Sequence, residues 1–225
     1  MPNTDILPEI TSSNTMRAIV LAEANAQIRL ENIELNVPEC SDNELLIKVE
    51  YVGLNPLDAQ YAKTGFCHWQ YPHVLGLDAV GIVINAPKGI YPNIGARVMW
   101  HASMGDHGVL SEYAKVPNYA VSVVPDSIKP EHAATLPCAG MTALISLDKL
   151  QITEGDTLLI EAGAGAVGQF AIQFAKQRGA DVFTTAAKCN HKLVKSLGAD
   201  VVFDYKDNNL CQKIRRELGP QGFDA

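Results

Sequence analysis

The stretch Thr157-Leu158-Leu159-Ile160-Glu161-Ala162-Gly163-Ala164-Gly165-Ala166-Val167-Gly168 decides how this chain folds. Its apolar first half has the length and character of a buried parallel strand. After the glycines, Val167, Phe170, Ala171, Phe174 and Ala175 recur on one helical stripe. Strand, glycine turn and helix in this order form a cradle for a pyrophosphate. Gly163 permits the tight turn, Gly165 lets backbone N–H groups approach the phosphates, and Gly168 lets helix and strand pack closely. Ala166 and Val167 open the helix, whose N-terminus adds partial positive charge at the same place.

Downstream, strands and helices alternate. Strands are expected at Asp181–Thr185 and Asp200–Phe203, and helices at Val167–Arg178, Asn190–Leu197 and Asp207–Leu218. Gly179, Gly198 and Gly219 stop the helices. In the last helix Leu210, Ile214 and Leu218 share a stripe. This alternation implies an α/β fold with a doubly wound parallel sheet and right-handed crossovers. Gly222-Phe223-Asp224-Ala225 reads as the approach to a fourth strand. A fold of this kind has two βαβαβ halves, and the expectation is that only the first is present in residues 126–225.

Upstream the pattern differs. Short β-type runs at Arg17–Leu21, Leu45–Val52, Ala79–Ile84, Arg97–Trp100, Tyr113–Val116 and Val121–Val123 are punctuated by prolines and glycines, as in a small barrel or sandwich. Short helices are expected at Lys129–Thr135 and Met141–Lys149. The division falls near residue 125. Residues 1–15 are polar, lack the basic start and apolar middle of a signal peptide, and read as a flexible leader.

Composition narrows the function. A chain that is 47% apolar and 19% charged is globular. A net charge of −7 opposes sequence-independent nucleic-acid binding, which needs a basic surface. No apolar run approaches the about 20 residues of a membrane helix. The cysteines, at 40, 67, 138, 189 and 211, contain no C-x-x-C pair and suggest neither a disulfide framework nor a zinc knuckle. A reducing cytoplasm is the simplest compartment.

Several segments in register resemble the medium-chain dehydrogenase/reductase superfamily, and within it the zinc-free quinone oxidoreductase (zeta-crystallin-like) branch. They are Val52-Gly53-Leu54-Asn55-Pro56-Leu57-Asp58, Val74-Leu75-Gly76-Leu77-Asp78-Ala79-Val80-Gly81, Gly95-Ala96-Arg97-Val98, Gly108-Val109-Leu110-Ser111-Glu112-Tyr113, Leu136-Pro137-Cys138-Ala139-Gly140-Met141-Thr142-Ala143 and the Gly163–Gly168 turn. The resemblance implies a GroES-like β-domain over 16–125, a truncated Rossmann domain over 126–225, and a cleft between them. It also implies a homodimer for the complete protein, and a small quinone or enone as substrate. Zinc-dependent relatives place metal ligands near Asn55, Leu77 and Cys138. Asn and Leu cannot replace a thiolate and an imidazole, so a metal-free site is expected. Cys67, His68, His73, His101 and His107 fall in one stretch, but their spacing matches no strong metal pattern.

The cofactor follows from the end of the second strand of the alternation. NAD-selective folds hold the ribose with an acid there. No carboxylate lies between Asp181 and Asp200, whereas Lys188, His191 and Lys192 do. A cationic patch suits a 2′-phosphate, so NADP(H) is the expected cofactor. The resemblance then implies hydride transfer from NADPH to a quinone or α,β-unsaturated carbonyl. Asn55 is the candidate to polarise the acceptor oxygen, Tyr61 is a second catalytic candidate with Tyr71 competing, and Thr142 sits where the family contacts the nicotinamide. Asp58 is read as organising a turn, and Asp78 as an acid near the cleft or a structural ion pair. Cys138 is read as buried, no His partner being evident. The competing readings are a non-catalytic nucleotide-binding relative and a zinc-dependent alcohol dehydrogenase. For the chain as it stands, weak or absent activity and poor solution behaviour are expected.

Overall fold

The computed structural model describes residues 14–25, 27–220 and 222–225, so residues 1–13 of the expected leader lie outside it. In chain order the elements are β1 (Thr15–Leu21), β2 (Leu30–Asn36), β3 (Glu44–Gly53), α1 (Pro56–Thr64), β4 (His73–Val74), β5 (Asp78–Asn85), β6 (Arg97–His101), β7 (Tyr113–Pro117) and β8 (Val121–Val123). There follow α2 (Pro130–Ala133), α3 (Pro137–Lys149), β9 (Thr157–Ile160), α4 (Ala166–Gln177), β10 (Asp181–Ala186), α5 (His191–Ser196), β11 (Val201–Asp204) and α6 (Leu210–Leu218). Contacts divide the chain into two compact units between Cys138 and Ala139.

The first unit is antiparallel. A five-stranded sheet runs β7-β3-β5-β6-β8, and a three-stranded one runs β2-β1-β4. β5 lies at the centre of the larger sheet and buries its first four residues, which is why Asp78-Ala79-Val80-Gly81 carries so little polarity. Leu45, Ile47, Val83 and Val98 are fully covered, and each contributes about 1.5–3 kcal/mol by leaving water. The register of β3 on β5 shifts between Val49 and Tyr51, where Gly81 faces the β3 backbone too closely for any side chain. Three elements were not among the sequence expectations: β2, β4 and α1. β2 alternates in exposure, but only Ile33 and Leu35 are apolar on its inner face and none of its residues is fully buried, so its apolar signal is short. β4 is two residues long and shows no period.

The second unit is a parallel sheet ordered β11-β10-β9 with α4, α5 and α6. β10 is central, and Val182 to Ala186 are all buried. The three-residue end of the chain extends the order. The Asp224 N–H donates to the Thr157 carbonyl at 2.8 Å, and the Leu159 N–H to that of Ala225 at 2.9 Å. Residues 223–225 therefore lie along the free side of β9, as the start of a fourth strand would.

One expectation is corrected. The buried face of α4 is Gly168, Ala171, Ile172 and Ala175, while Val167 is 39% exposed and Phe170 and Phe174 are half-buried. The reason is close approach. A Cβ on Gly168 would lie 2.6 Å from the Ala162 carbonyl oxygen, so the small residues face the strand and the phenylalanines are turned aside. No helix among the described residues is long and apolar enough to cross a membrane.

Candidate functional site

Strand register assembles the polar centre of the first unit. Gly53 on β3, Asp78 on β5 and His101 on β6 are direct cross-strand partners. Such neighbours share one face of a sheet. Gly53 is needed for what crosses that face. A Cβ there would sit 2.1 Å from the Ala134 carbonyl oxygen, so only glycine lets the end of α2 come so near. The chain then passes over Asp78, and the Cys138 N–H donates to its two oxygens at 3.1 and 3.0 Å.

Asp78 is 1% exposed. A buried carboxylate survives only if donors replace water. Besides Cys138, the Asn55 amide Nδ2 donates at 3.0 Å and the His101 ring Nδ1 lies 2.7 Å from the other oxygen. Asn55, Asp78 and His101 thus form one hydrogen-bonded chain. His101 remains partly open, with 23% of its side chain exposed.

Asn55 is placed by α1. It is the cap residue, Pro56 supplies the pre-set first helical position, and Asp58 reaches back to accept the Asn55 N–H at 2.6 Å. Asp58 does organise the turn. Burial pushes its carboxyl upward, the Asp78 charge adds to this, and the Asn55 N–H and His101 oppose it. Its Oδ1 is buried without a partner and lines, with Tyr61, Trp69, His73 and Leu77, a cavity of about 10 Å³, room for one water. Tyr61 packs edge-on against Phe66 and Trp69, with ring centres 5.4 and 6.0 Å away, and makes no hydrogen bond to the Asn55–Asp78–His101 chain.

The other clustered histidines do not gather with His101. His73 stacks between Trp69 at 3.9 Å and His107 at 5.4 Å, and burial, aided by His107, pushes its pKa down to about 4. Among the described residues the one group of metal-competent side chains is Asp78, His101 and Cys138, with ligand atoms within 4.8 Å of one another. A zinc ion does not fit them as arranged. Both Asp78 oxygens and His101 Nδ1 are spent on one another, on Asn55 and on the Cys138 amide, and Leu77 is a buried apolar residue. The structure does supply a histidine near Cys138, which no sequence spacing signalled.

In the second unit the glycine turn has the expected form. Gly165 caps α4, and no side chain caps the helix, so Ala166, Val167 and Gly168 present first-turn N–H groups to an anion. The turn is rigidly backed. The Gly163 N–H donates to the Thr185 carbonyl at 2.9 Å, and the Ala162 N–H to the Thr185 hydroxyl at 3.1 Å. A Cβ on Gly163 would lie 2.1 Å from the Thr184 hydroxyl, so packing alone requires that glycine. Gly165 is different: a Cβ there would meet only the Ala162 carbonyl oxygen, at 3.2 Å. Gly165 puts no side chain beside the first-turn N–H groups, and in this respect the turn fits a dinucleotide pyrophosphate. Lys188 and Lys192 are both exposed just beyond the end of β10, and neither has an ion-pair partner among the described residues. Thr142 is exposed in the second turn of α3, which begins at Pro137, so it is not the cap of that helix.

Comparison with known proteins agrees with both halves. Residues 41–126 match the alcohol dehydrogenase GroES-like domain, and residues 166–225 match the zinc-binding dehydrogenase domain. A trans-enoyl reductase of Aspergillus terreus is 37% identical over 196 residues, covering 79% of this chain and 65% of the relative. The quinone oxidoreductase of Coxiella burnetii superposes with a TM-score of 0.79 at 35% identity, over 88% of this chain and 65% of that one. A mycobacterial protein solved in complex with NADPH superposes with a TM-score of 0.79 at 32% identity, over 92% of this chain and 64% of that one. This chain spans less than two thirds of the length of each.

Proposed function

Because the chain belongs to the medium-chain dehydrogenase/reductase superfamily, on its quinone oxidoreductase branch, we propose that it acts as a zinc-independent, NADPH-dependent reductase of quinones or α,β-unsaturated carbonyls. The observation that carries the reading is the glycine turn: an uncapped helix start at which Gly165, the least crowded of its three glycines, puts no side chain in the way of a pyrophosphate. Lys188 and Lys192 beyond β10 support NADPH over NADH, since their charges suit a 2′-phosphate and no acid between Asp181 and Asp200 opposes it. The names of the relatives support the acceptor class, one being a trans-enoyl reductase and one a quinone oxidoreductase.

In this reading NADPH, when bound, supplies the hydride. The protein's residues do the rest. Ala166, Val167 and Gly168 N–H groups would hold the diphosphate, Lys188 and Lys192 would hold the extra phosphate, and Thr142 would meet the nicotinamide end. Asn55 donates from Nδ2 to the acceptor oxygen, and Tyr61, within its aromatic cluster, forms part of the acceptor wall. Asp58 and Pro56 keep Asn55 in place. The test follows NADPH oxidation with a panel of quinones and enones. Turnover with at least one acceptor, at least tenfold faster with NADPH than with NADH, is expected. Saturable NADPH binding with no turnover would instead favour a non-catalytic nucleotide-binding role.

A further inference from the structure

Reduction of a quinone or enone by hydride also consumes a proton, and the reading above names no donor. We infer that His101, oriented by Asp78, delivers that proton to the acceptor oxygen from Nε2; the inference rests on the proposed function, which puts Asn55 at that oxygen. Asn55 and His101 are held by the same carboxylate, one on each oxygen, at 3.0 and 2.7 Å. A group that positions Asn55 therefore positions His101 beside it. Asp78 is almost fully enclosed, while the His101 side chain keeps 23% of its surface, so the carboxylate orients and the imidazole stays accessible.

The ring chemistry suits the task. Nδ1 is committed to Asp78, which makes Nδ1–H the favoured neutral tautomer and leaves Nε2 as the exchangeable site. The titratable groups around the ring are Asp78 on β5, Asp58 on α1 and Cys138 on α3. Asp78 fixes the orientation of the ring through its 2.7 Å contact with Nδ1.

The step balances. With NADPH bound, the hydride it supplies would give the acceptor two electrons and one hydrogen. A new O–H bond forms at the acceptor oxygen while the Nε2–H bond of the imidazolium breaks, its electron pair remaining on Nε2. The neutral ring keeps Nδ1–H against Asp78 and regains its proton from solvent.

Two measurements test this. Nitrogen-detected NMR of the cofactor-free protein should show neutral His101 as the Nδ1–H tautomer, and Asp78→Asn should shift that preference. In the presence of NADPH and an acceptor, His101→Asn should lower kcat by about 100-fold or more, the lower end of what a positioned acid contributes. The same variant should lose one limb of the pH profile and leave NADPH affinity, read by fluorescence, within about twofold. A neutral Nε2–H tautomer in the wild type would overturn the assignment. So would undiminished turnover by His101→Asn with an unchanged pH profile. Wild-type activity that is lost on chelation and restored by zinc would also overturn it, because the ring would then be a ligand. If the wild type binds NADPH and reduces no quinone or enone, the proposed function fails and the donor role with it.

Discussion

Asp78 binds the first unit's polar centre together, and its substitution should be costly in a readable way. Asp78→Ala leaves Asn55 Nδ2, His101 Nδ1 and the Cys138 N–H, all partly buried, without the carboxylate that accepts from them. Each stranded donor costs about 1–3 kcal/mol. The expected outcome is a loss of several kcal/mol in denaturant unfolding. Asn55→Ala removes one donor to Asp78 and the cap of α1, so it should cost about 1 kcal/mol in unfolding, less than Asp78→Ala, and lose about 10- to 100-fold in kcat on a responsive acceptor. Asn55 and Asp78 were both legible as residues of interest in the chain. What joins them was not. Asn55 and Asp78 are 23 residues apart in sequence, as are Asp78 and His101, and the register that makes neighbours of them depends on a bulge in β3. His101 lies one residue past the expected strand because the apolar run ends at Trp100, whereas β6 extends one residue further.

At the scale of single elements, the glycine turn makes the sharpest contrast. Gly163→Ala forces a Cβ to 2.1 Å from the Thr184 hydroxyl, and Gly168→Ala forces one to 2.6 Å from a carbonyl oxygen. Both variants should melt several degrees lower, by differential scanning fluorimetry. Gly165→Ala meets a single neighbour, at a tight 3.2 Å, and should lower the melting temperature less than the other two while binding NADPH at least tenfold more weakly. A parallel loss of stability at all three positions would mean that the turn is a packing device only. Lys188→Glu with Lys192→Glu should leave stability unchanged and reverse the preference toward NADH in a binding titration. This turn was legible because its parts are contiguous: strand, glycines and helix follow one another within a dozen residues. The helix α1 was legible too, through Pro56 at its first position and Asp58 reaching back to Asn55. It went unread because just one of its residues, Ala62, is buried, and an apolar stripe is the stronger signal.

Across the whole molecule, stability should carry a pH signature from His73. Its pKa falls from 6.5 to about 4 on folding, because burial disfavours the charged ring. The unfolded chain therefore binds more protons between these values, and stability falls as pH drops from 6.5 toward 4. The slope approaches about 1.4 kcal/mol per pH unit for one proton. Glu44 and Glu112, whose carboxyls hydrogen bonds hold low, add their loss only below about 4.5. Chemical denaturation at pH 6.5 and 5 should show the slope in the wild type. His73→Phe, which keeps the stack on Trp69, should flatten it; an unchanged slope would place the titrating group elsewhere.

What the chain determined by itself is whatever is local: the parallel βα alternation, the phosphate-cradling turn, the short antiparallel strands before it, and the want of an acid beyond β10. Each rests on a period or spacing within a few turns of backbone, where propensity and pattern act directly. Tertiary structure alone decided the site in the first unit. It bent β3, brought the end of α2 over Gly53, and set Asn55, His101 and the Cys138 amide around one buried carboxylate. Hydrogen bonds between residues tens of positions apart depend on strand register, and register is set by the packing of the whole core rather than by any one segment.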